Sequence, residues 1–113
     1  MKRDYTDYLY DILNEINQIE SFISGIDLKA FSSDTKTYYA VLRALEVIGE
    51  ASGKIPNEIK EKYNHIPWKE MYGMRNKLIH DYFGVNENVI WKTITEDLPT
   101  LKNAIASIVK ETN

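Results

Sequence analysis

The 113-residue sequence predicts an all-α protein, folded as an up-and-down bundle of four to five helices. Three observations support this class. Apolar residues recur at steps of three and four along most of the chain, which is the spacing of one face of a helix. No segment alternates apolar and polar residues as a half-buried strand would. Hydrophobic residues make up 43% of the sequence, enough for a packed core, and the length predicts one domain over residues 1–113.

The first half of the chain predicts two helices. An apolar stripe runs from Tyr5 to Ile23, and Gly25 ends the first helix. A loop then leads to the second helix, for which Ser33 or Asp34 supplies the N-cap. The second helix runs on to Gly53, which is expected at the C′ position just beyond its end.

The second half predicts a short helix, a motif-bearing helix and a last helical region. The short helix covers about Glu58–Tyr63, and Pro67 opens the next helix, which ends between residues 80 and 84 where Gly84 offers a stop. The last region runs from Val89 to Lys110, and Pro99 is expected to kink or restart it. The helix after Pro67 carries an apolar set that consists of Trp68, Met71, Tyr72, Met74, Leu78 and Ile79, and Trp68 is expected to pack in the core.

Composition and charge exclude several classes of function. The net charge is −3, and residues 57–113 carry as many acidic as basic side chains, so the chain is not expected to coat nucleic acid by charge alone. With no cysteine and two histidines, neither a metal nor a cofactor is expected. The sequence starts with charged residues, and no apolar run is long enough to span a bilayer. A cytoplasmic protein without membrane contact is therefore expected.

One segment, late in the helix that follows Pro67, combines residue types suited to chemistry. Arg75 and Tyr82 are seven positions apart, which brings them within about 20° of the same face of a continuous helix. Arg75 and His80 are five positions apart and would lie about 140° from each other. Either the helix unwinds just before His80, or a second copy of the chain supplies the facing residues. A structural alternative is that these basic side chains only complement the negative end of the helix.

The spacing of these residues resembles the Arg-x-x-x-x-His-x-Tyr signature of HEPN-domain toxins, specifically the HepT type of the HepT–MntA toxin–antitoxin systems. The similarity extends from about residue 5 to residue 110, and no residue of the motif departs from the family pattern. The segments that carry it are Leu45-Glu46-Val47-Ile48-Gly49-Glu50-Ala51, Ile66-Pro67-Trp68, Met74-Arg75-Asn76, Tyr82-Phe83-Gly84-Val85 and Trp91-Lys92-Thr93-Ile94-Thr95-Glu96-Asp97-Leu98-Pro99.

The resemblance implies a HEPN-like bundle that forms a homodimer, with two copies of the motif around one cleft. It implies a toxin that acts as a metal-independent endoribonuclease, with Arg75 and His80 as the catalytic pair and Asn76 in the polar place after the arginine. It also implies an MntA-type nucleotidyltransferase antitoxin, which transfers AMP from ATP to Tyr82 and silences the toxin. The alternative is a catalytically silent HEPN partner that binds nucleotide or presents substrate to the transferase, since an arginine–histidine cleft also binds ATP phosphates.

The residue types suit RNA cleavage without a metal. A histidine with an ordinary pKa of about 6.5 can act as base or acid near neutral pH. Arg75 offers a planar fork for two phosphate oxygens, and Lys77 is a further candidate phosphate contact. One histidine per chain cannot be base and acid in the same step. A dimer has two copies of His80 and can therefore supply both the base and the acid. It also allows one chain to supply residues that face Arg75 of the other chain.

Overall fold

All regular structure that the computed structural model describes is helical. The model describes residues 3–80 and 86–112, with the side chains of these residues except that of His80. In chain order the segments are α1 (Tyr5–Phe22), α2 (Leu28–Ser33), α3 (Thr35–Gly53), α4 (Asn57–Lys62), α5 (Trp68–His80), α6 (Glu87–Lys92), a π-helical segment (Thr93–Asp97) and α7 (Leu98–Thr112). The predicted all-α class is confirmed.

The long helices form a bundle in which α3 is central. It packs against α1 on one side and against α5 on the other, while α7 packs against α1. The short α2 contacts both α3 and α6. The apolar stripe of α1 is buried as predicted, and it meets α3 and α7 in one hydrophobic core. Helix α5, which carries the motif, therefore lies on one flank of the bundle with α3 as its main support.

Aspartates cap three of the helices in the first half of the chain. Asp34 caps α3: its carboxylate accepts hydrogen bonds from the Thr37 hydroxyl at 2.7 Å and from the Thr37 backbone N–H at 3.1 Å. These hydrogen bonds favour the charged carboxylate and hold the pKa of Asp34 below its ordinary value. Of the two predicted caps, Asp34 rather than Ser33 is the one used. Asp4 and Asp27 play the same part for α1 and α2.

The predicted loop before α3 is a helix. Residues 28–33 form α2, because the Asp27 carboxylate accepts a hydrogen bond from the Ala30 N–H at 2.9 Å and so satisfies a free donor in the first turn. The helix also buries Phe31 completely. The Phe31 ring lies 5.4 Å from the ring of Tyr38 and 5.2 Å from that of Trp91, so it joins α2 to α3 and α6.

Two predicted helix ends are displaced, the end of α3 by two residues and the start of α5 by one. Gly53 is the last residue of α3 rather than the C′ residue, and among the described glycines only Gly25 has a positive φ, of 77°. Pro67 lies just before α5 instead of opening it, and its carbonyl accepts the hydrogen bond from the Met71 N–H at 3.0 Å. Both residues lie at the end of a helix, as predicted, but at a different position within that end.

Pro99 restarts the last helical region, as predicted. The chain passes from α6 into the π-helical segment, where the Leu98 N–H donates to the Thr93 carbonyl five residues back. A proline ring clashes with the carbonyl four residues before it, which here is that of Thr95. The wider π turn moves this carbonyl away, and α7 then proceeds regularly from Leu98. Across residues 3–80 and 86–112, no helix combines the length and hydropathy needed to cross a bilayer.

Candidate active site

Arg75 is placed by a close approach between α3 and α5. A Cβ atom added at Gly49 of α3 would lie 2.7 Å from the Met71 carbonyl oxygen and in collision with the Cβ of Arg75. Only glycine lets the two helix backbones come this near at this point. The stem of Arg75 is therefore held against the backbone of α3, and the position of its Cα is set by the packing of the two helices.

The guanidinium group of Arg75 is held by two neighbours on its own helix. Its Nη1 donates a hydrogen bond to Oδ1 of Asn76 at 2.9 Å, and its central carbon lies 5.7 Å from the centre of the Tyr72 ring. The Tyr72 ring rests in turn on Gly53, where an added Cβ would meet the ring carbon Cε1 at 2.6 Å. These contacts turn the cation towards the side of α5 that carries Tyr72 and Asn76.

The positive charge of Arg75 is not neutralised by any residue that the structure describes. The ion pairs within residues 3–80 and 86–112 join other residues, and the hydrogen bond to Asn76 is the one that Arg75 makes there. Its Nε is buried and has no hydrogen-bond partner among the described residues, an arrangement that is costly and uncommon in native proteins. A partly buried guanidinium with unused donors is suited to an anion with several oxygens.

Helix α5 continues without interruption to His80, so the predicted alternative in which the helix unwinds before this residue is wrong. The chain hydrogen-bonds regularly through this turn, and about 140° separates Arg75 from His80 around the axis. His80 is only four positions, or about 40°, from Asn76. Asn76, which accepts the hydrogen bond from Arg75, lies between Arg75 and His80 in angle around the helix axis.

The remaining predicted site residues are not brought to Arg75 by the described part of the chain. Lys77 is exposed and lies about 200° around the helix from Arg75, on the opposite side. Tyr82, the predicted AMP acceptor, and Gly84, the predicted helix stop, lie outside the described residues. The structure therefore brings together Arg75 and Asn76 and adds the ring of Tyr72 to them.

Two residues of the α5 apolar stripe, Tyr72 and Ile79, are not buried in the core. Tyr72 is 43% exposed and Ile79 is 41% exposed. Both lie at the edge of the apolar stripe of α5, where the pattern alone does not tell a buried position from an exposed one. The signal that could have identified Tyr72 is its position three residues before Arg75, which makes the two side chains neighbours on a helix.

A surface of apolar and charged side chains borders the site near the C-terminal end of α5. It is a groove of about 400 Å³ between α3 and α5, which we call the α3–α5 patch. Ile79 lies one helical turn after Arg75, and Tyr39 of α3 is 63% exposed. The residues that line the α3–α5 patch are Tyr39, Leu42, Arg43, Glu46, Leu78 and Ile79.

The fold and the site together define a small helical-bundle protein with an arginine-centred polar site. Residues 12–108 match the family model described as "Ribonuclease HepT-like". The chain is 52% identical over 110 residues to a protein named "Probable ribonuclease HepT" from Thermococcus cleftensis, covering 97% of this chain and 100% of the relative. It is 47% identical over 110 residues to "Putative RNase MJ0125" from Methanocaldococcus jannaschii, covering 97% and 95% of the two chains. No solved structure matches.

The chain belongs to the HepT-like ribonuclease family. The resemblance to this family, inferred from the motif and its flanking segments, is thereby confirmed. The residues that match the family model include at least part of every helix in the bundle.

Proposed function

We propose that this protein is a toxin that cleaves RNA as a metal-independent endoribonuclease, acting as a homodimer in the cytoplasm through Arg75 and His80. The observation that best supports the proposal is the environment of the Arg75 guanidinium group. This group is fixed by Asn76 and Tyr72, and it has no carboxylate partner among the described residues. The names of the relatives, which describe ribonucleases, support an RNA substrate for this site.

The proposed reaction uses the 2′-hydroxyl of the RNA as the nucleophile. A base removes its proton, the 2′-oxygen attacks the adjacent phosphorus, and the bond to the 5′-oxygen breaks as an acid protonates that oxygen. The products are a 2′,3′-cyclic phosphate and a free 5′-hydroxyl. Arg75 binds the phosphate oxygens, where negative charge accumulates in the transition state. The two imidazoles of a dimer act as base and acid.

The α3–α5 patch supports the homodimer. It combines the exposed side chains of Tyr39 and Ile79 with the ion pair of Arg43 and Glu46, and it begins one helical turn from Arg75. A two-fold axis through this surface would bury the patch of one subunit against that of the other and bring two copies of α5 together. The single cleft on the two-fold axis would then contain both copies of Arg75 and both copies of His80, which supplies the base and the acid that the reaction needs.

Replacing Arg75 with alanine should lower the rate of RNA cleavage by about 10²–10³-fold, because the transition state loses its main cationic contact. Arg75→Lys should restore only part of the rate, since an ammonium group cannot bind two phosphate oxygens in one plane. The measurement is cleavage of total RNA by the purified protein in the presence of a chelator, followed by gel electrophoresis.

A matched control for this assay is Arg3→Ala, which removes an exposed arginine paired with Asp11 on α1. Cleavage that requires an added divalent cation would contradict metal independence. Cleavage that persists in Arg75→Ala would contradict the assignment of the site. If the wild-type protein does not cut RNA at all, the alternative of a catalytically silent partner of a nucleotidyltransferase gains support.

We further propose that an MntA-type nucleotidyltransferase antitoxin silences this toxin by transferring AMP from ATP to Tyr82. The AMP phosphate would add about one negative charge. Placed near Arg75, this charge and the bulk of the adenosine would compete with the substrate phosphate. The match of the chain to the HepT-like family supports the proposal, together with the tyrosine two positions after His80.

Incubation with such a transferase and radiolabelled ATP should label the wild-type protein and abolish its ribonuclease activity, while Tyr82→Phe should remain unlabelled and active. The readouts are autoradiography and the mass of the peptide that contains Tyr82. Tyr63→Phe is a control in which another tyrosine hydroxyl is removed. Labelling that persists in Tyr82→Phe would contradict this acceptor.

A further inference from the structure

We infer that the cleft between α4 and α5 binds single-stranded RNA next to the cleavage site, so that the strand runs from Arg75 along Tyr72 into this cleft. The inference rests on the proposed ribonuclease function and adds a binding site to it. The cleft has a volume of about 720 Å³ and lies between the end of α4, the loop that follows and the first turns of α5. We call it the α4–α5 cleft.

The side chains that line the α4–α5 cleft suit a nucleic-acid strand. Lys60 comes from α4, His65 from the loop and Lys69 from the first turn of α5, so that cationic or protonatable groups come from three successive parts of the chain. Asn64 adds an amide, and Glu70 is the one acidic residue in the lining. Lysines bind phosphates along a strand, and amides and aromatic rings contact the bases.

The α4–α5 cleft is continuous with the site at Arg75. Tyr72 lines the cleft, and its ring also contacts the guanidinium of Arg75. Lys69 precedes Arg75 by six positions, which is about 9 Å along the helix axis. This is a distance that a short stretch of extended RNA can bridge. Because the Tyr72 ring is exposed and rests on Gly53, a base can stack on it between the two phosphate contacts.

The walls of the α4–α5 cleft are held in place before any ligand binds. Trp68 is 6% exposed, and its indole Nε1 donates to the carbonyl of Tyr63 at 3.1 Å. The backbone N–H of Ile66 donates to the same carbonyl, and that of Trp68 donates to the carbonyl of Ile66 at 2.8 Å. These bonds close the loop between α4 and α5, so little conformational entropy is lost when a strand binds.

The charge distribution favours this cleft over the other polar one that the described residues form. Residues 57–80 contain five basic and three acidic side chains in a protein of net charge −3. Lys60 and Lys69 take part in no ion pair with a described residue. The other polar cleft, between α1 and α3, also holds cations, but Arg3 is paired with Asp11 at 2.8 Å and Arg43 with Glu46 at 3.2 Å. Lys54, the remaining cation of that cleft, shares its lining with the carboxylates of Asp11 and Glu50, whereas the α4–α5 cleft has two lysines and a single acidic residue, so phosphates are more favourably placed there.

The test compares Lys60→Gln/Lys69→Gln with the control Lys62→Gln/Lys110→Gln, which removes the same charge from exposed positions outside the cleft. The substrate is a fluorescein-labelled single-stranded RNA of about 10 nucleotides, within the range of known single-strand sites. We expect the cleft variant to raise KM by roughly ten-fold and to leave kcat within about two-fold, while the control matches the wild type.

Binding of the same RNA is measured by fluorescence anisotropy in a His80→Ala background, so that the strand stays intact. The slope of log K against log salt should be smaller by about 1.4 in the cleft variant, since each phosphate contact to a single strand contributes about 0.7. A dinucleotide that contains only the scissile phosphate should not distinguish the cleft variant from the wild type, because it cannot reach Lys60 or Lys69.

The outcomes separate this inference from the proposed function. Suppose that the wild type cleaves RNA and that the cleavage depends on Arg75. If the KM and the salt slope of the cleft variant then equal those of the control, the inference is overturned, while the proposed ribonuclease function is retained. It is also overturned if the cleft variant loses affinity for ATP and not for RNA. If Arg75→Ala and the wild type cleave equally, or neither binds RNA, the proposed function fails and the inference fails with it.

Discussion

Replacing His80 with alanine should lower kcat for RNA cleavage by about 10²–10⁴-fold, the range that proton transfer by a positioned side chain contributes. The proposed reaction needs a base for the 2′-hydroxyl and an acid for the 5′-oxygen, and His80 is the one histidine of the motif. KM should change little, because Arg75 and the lysines still bind the phosphates. The measurement is steady-state cleavage of a defined RNA, with Lys62→Gln/Lys110→Gln as the control outside both the motif and the α4–α5 cleft.

Mixing wild-type and His80→Ala subunits tests whether both histidines of a dimer act in one cleft. After the subunits exchange, activity should fall as the square of the wild-type fraction, since only dimers with two intact histidines retain both base and acid. A linear decrease would show that one histidine suffices. Activity that does not respond to excess His80→Ala subunits, under conditions in which exchange is demonstrated, would contradict a shared cleft.

Replacing Gly49 with alanine should lower the free energy of unfolding by about 1–3 kcal/mol and reduce RNA cleavage as well. The added methyl group would collide with the Met71 carbonyl oxygen and the stem of Arg75, which are backbone or backbone-proximal atoms that cannot turn away. Helix α5 must then move away from α3, and Arg75 moves with it. Urea unfolding followed by circular dichroism measures the first effect, and kcat/KM measures the second.

Gly73→Ala is the matched control for this substitution. Gly73 lies in the middle of α5 with no atom within 4 Å of an added Cβ. Alanine there should stabilise the protein by about 0.5–1 kcal/mol, because it restricts the unfolded chain and favours the helix. Equal stabilities of Gly49→Ala and Gly73→Ala would contradict the close contact between α3 and α5.

The helices were predictable because their signals are local. The apolar stripe of α1 and the proline that restarts the last region act over a few residues, and the structure has both where the pattern placed them. Helix α2 was missed because six residues are too few to show a helical period, and the cap at Asp27 was not recognised. The alternative caps Ser33 and Asp34 were adjacent in sequence, and only the hydrogen bonds to Thr37 decided between them.

The sequence motif contains the residues of the candidate site, but it does not show how their side chains are arranged. Spacing along an ideal helix placed Arg75 and His80 on different faces, since it considers only the Cα positions. The long side chain of Arg75 is held by a hydrogen bond to Asn76 and a contact with the Tyr72 ring. No periodic pattern reports the direction that a flexible side chain takes.

The sequence by itself determined the helical class, the position of most helices, the motif and the family to which the chain belongs. These features depend on residue types and on spacings within a few turns of helix, which the 3.6-residue period fixes. Only the tertiary structure decided which edge residues of α5 are exposed, why residue 49 is glycine and which surface adjoins Arg75. These depend on how closely α3, α4 and α5 approach, and such distances between segments far apart in the chain come from packing rather than from local spacing.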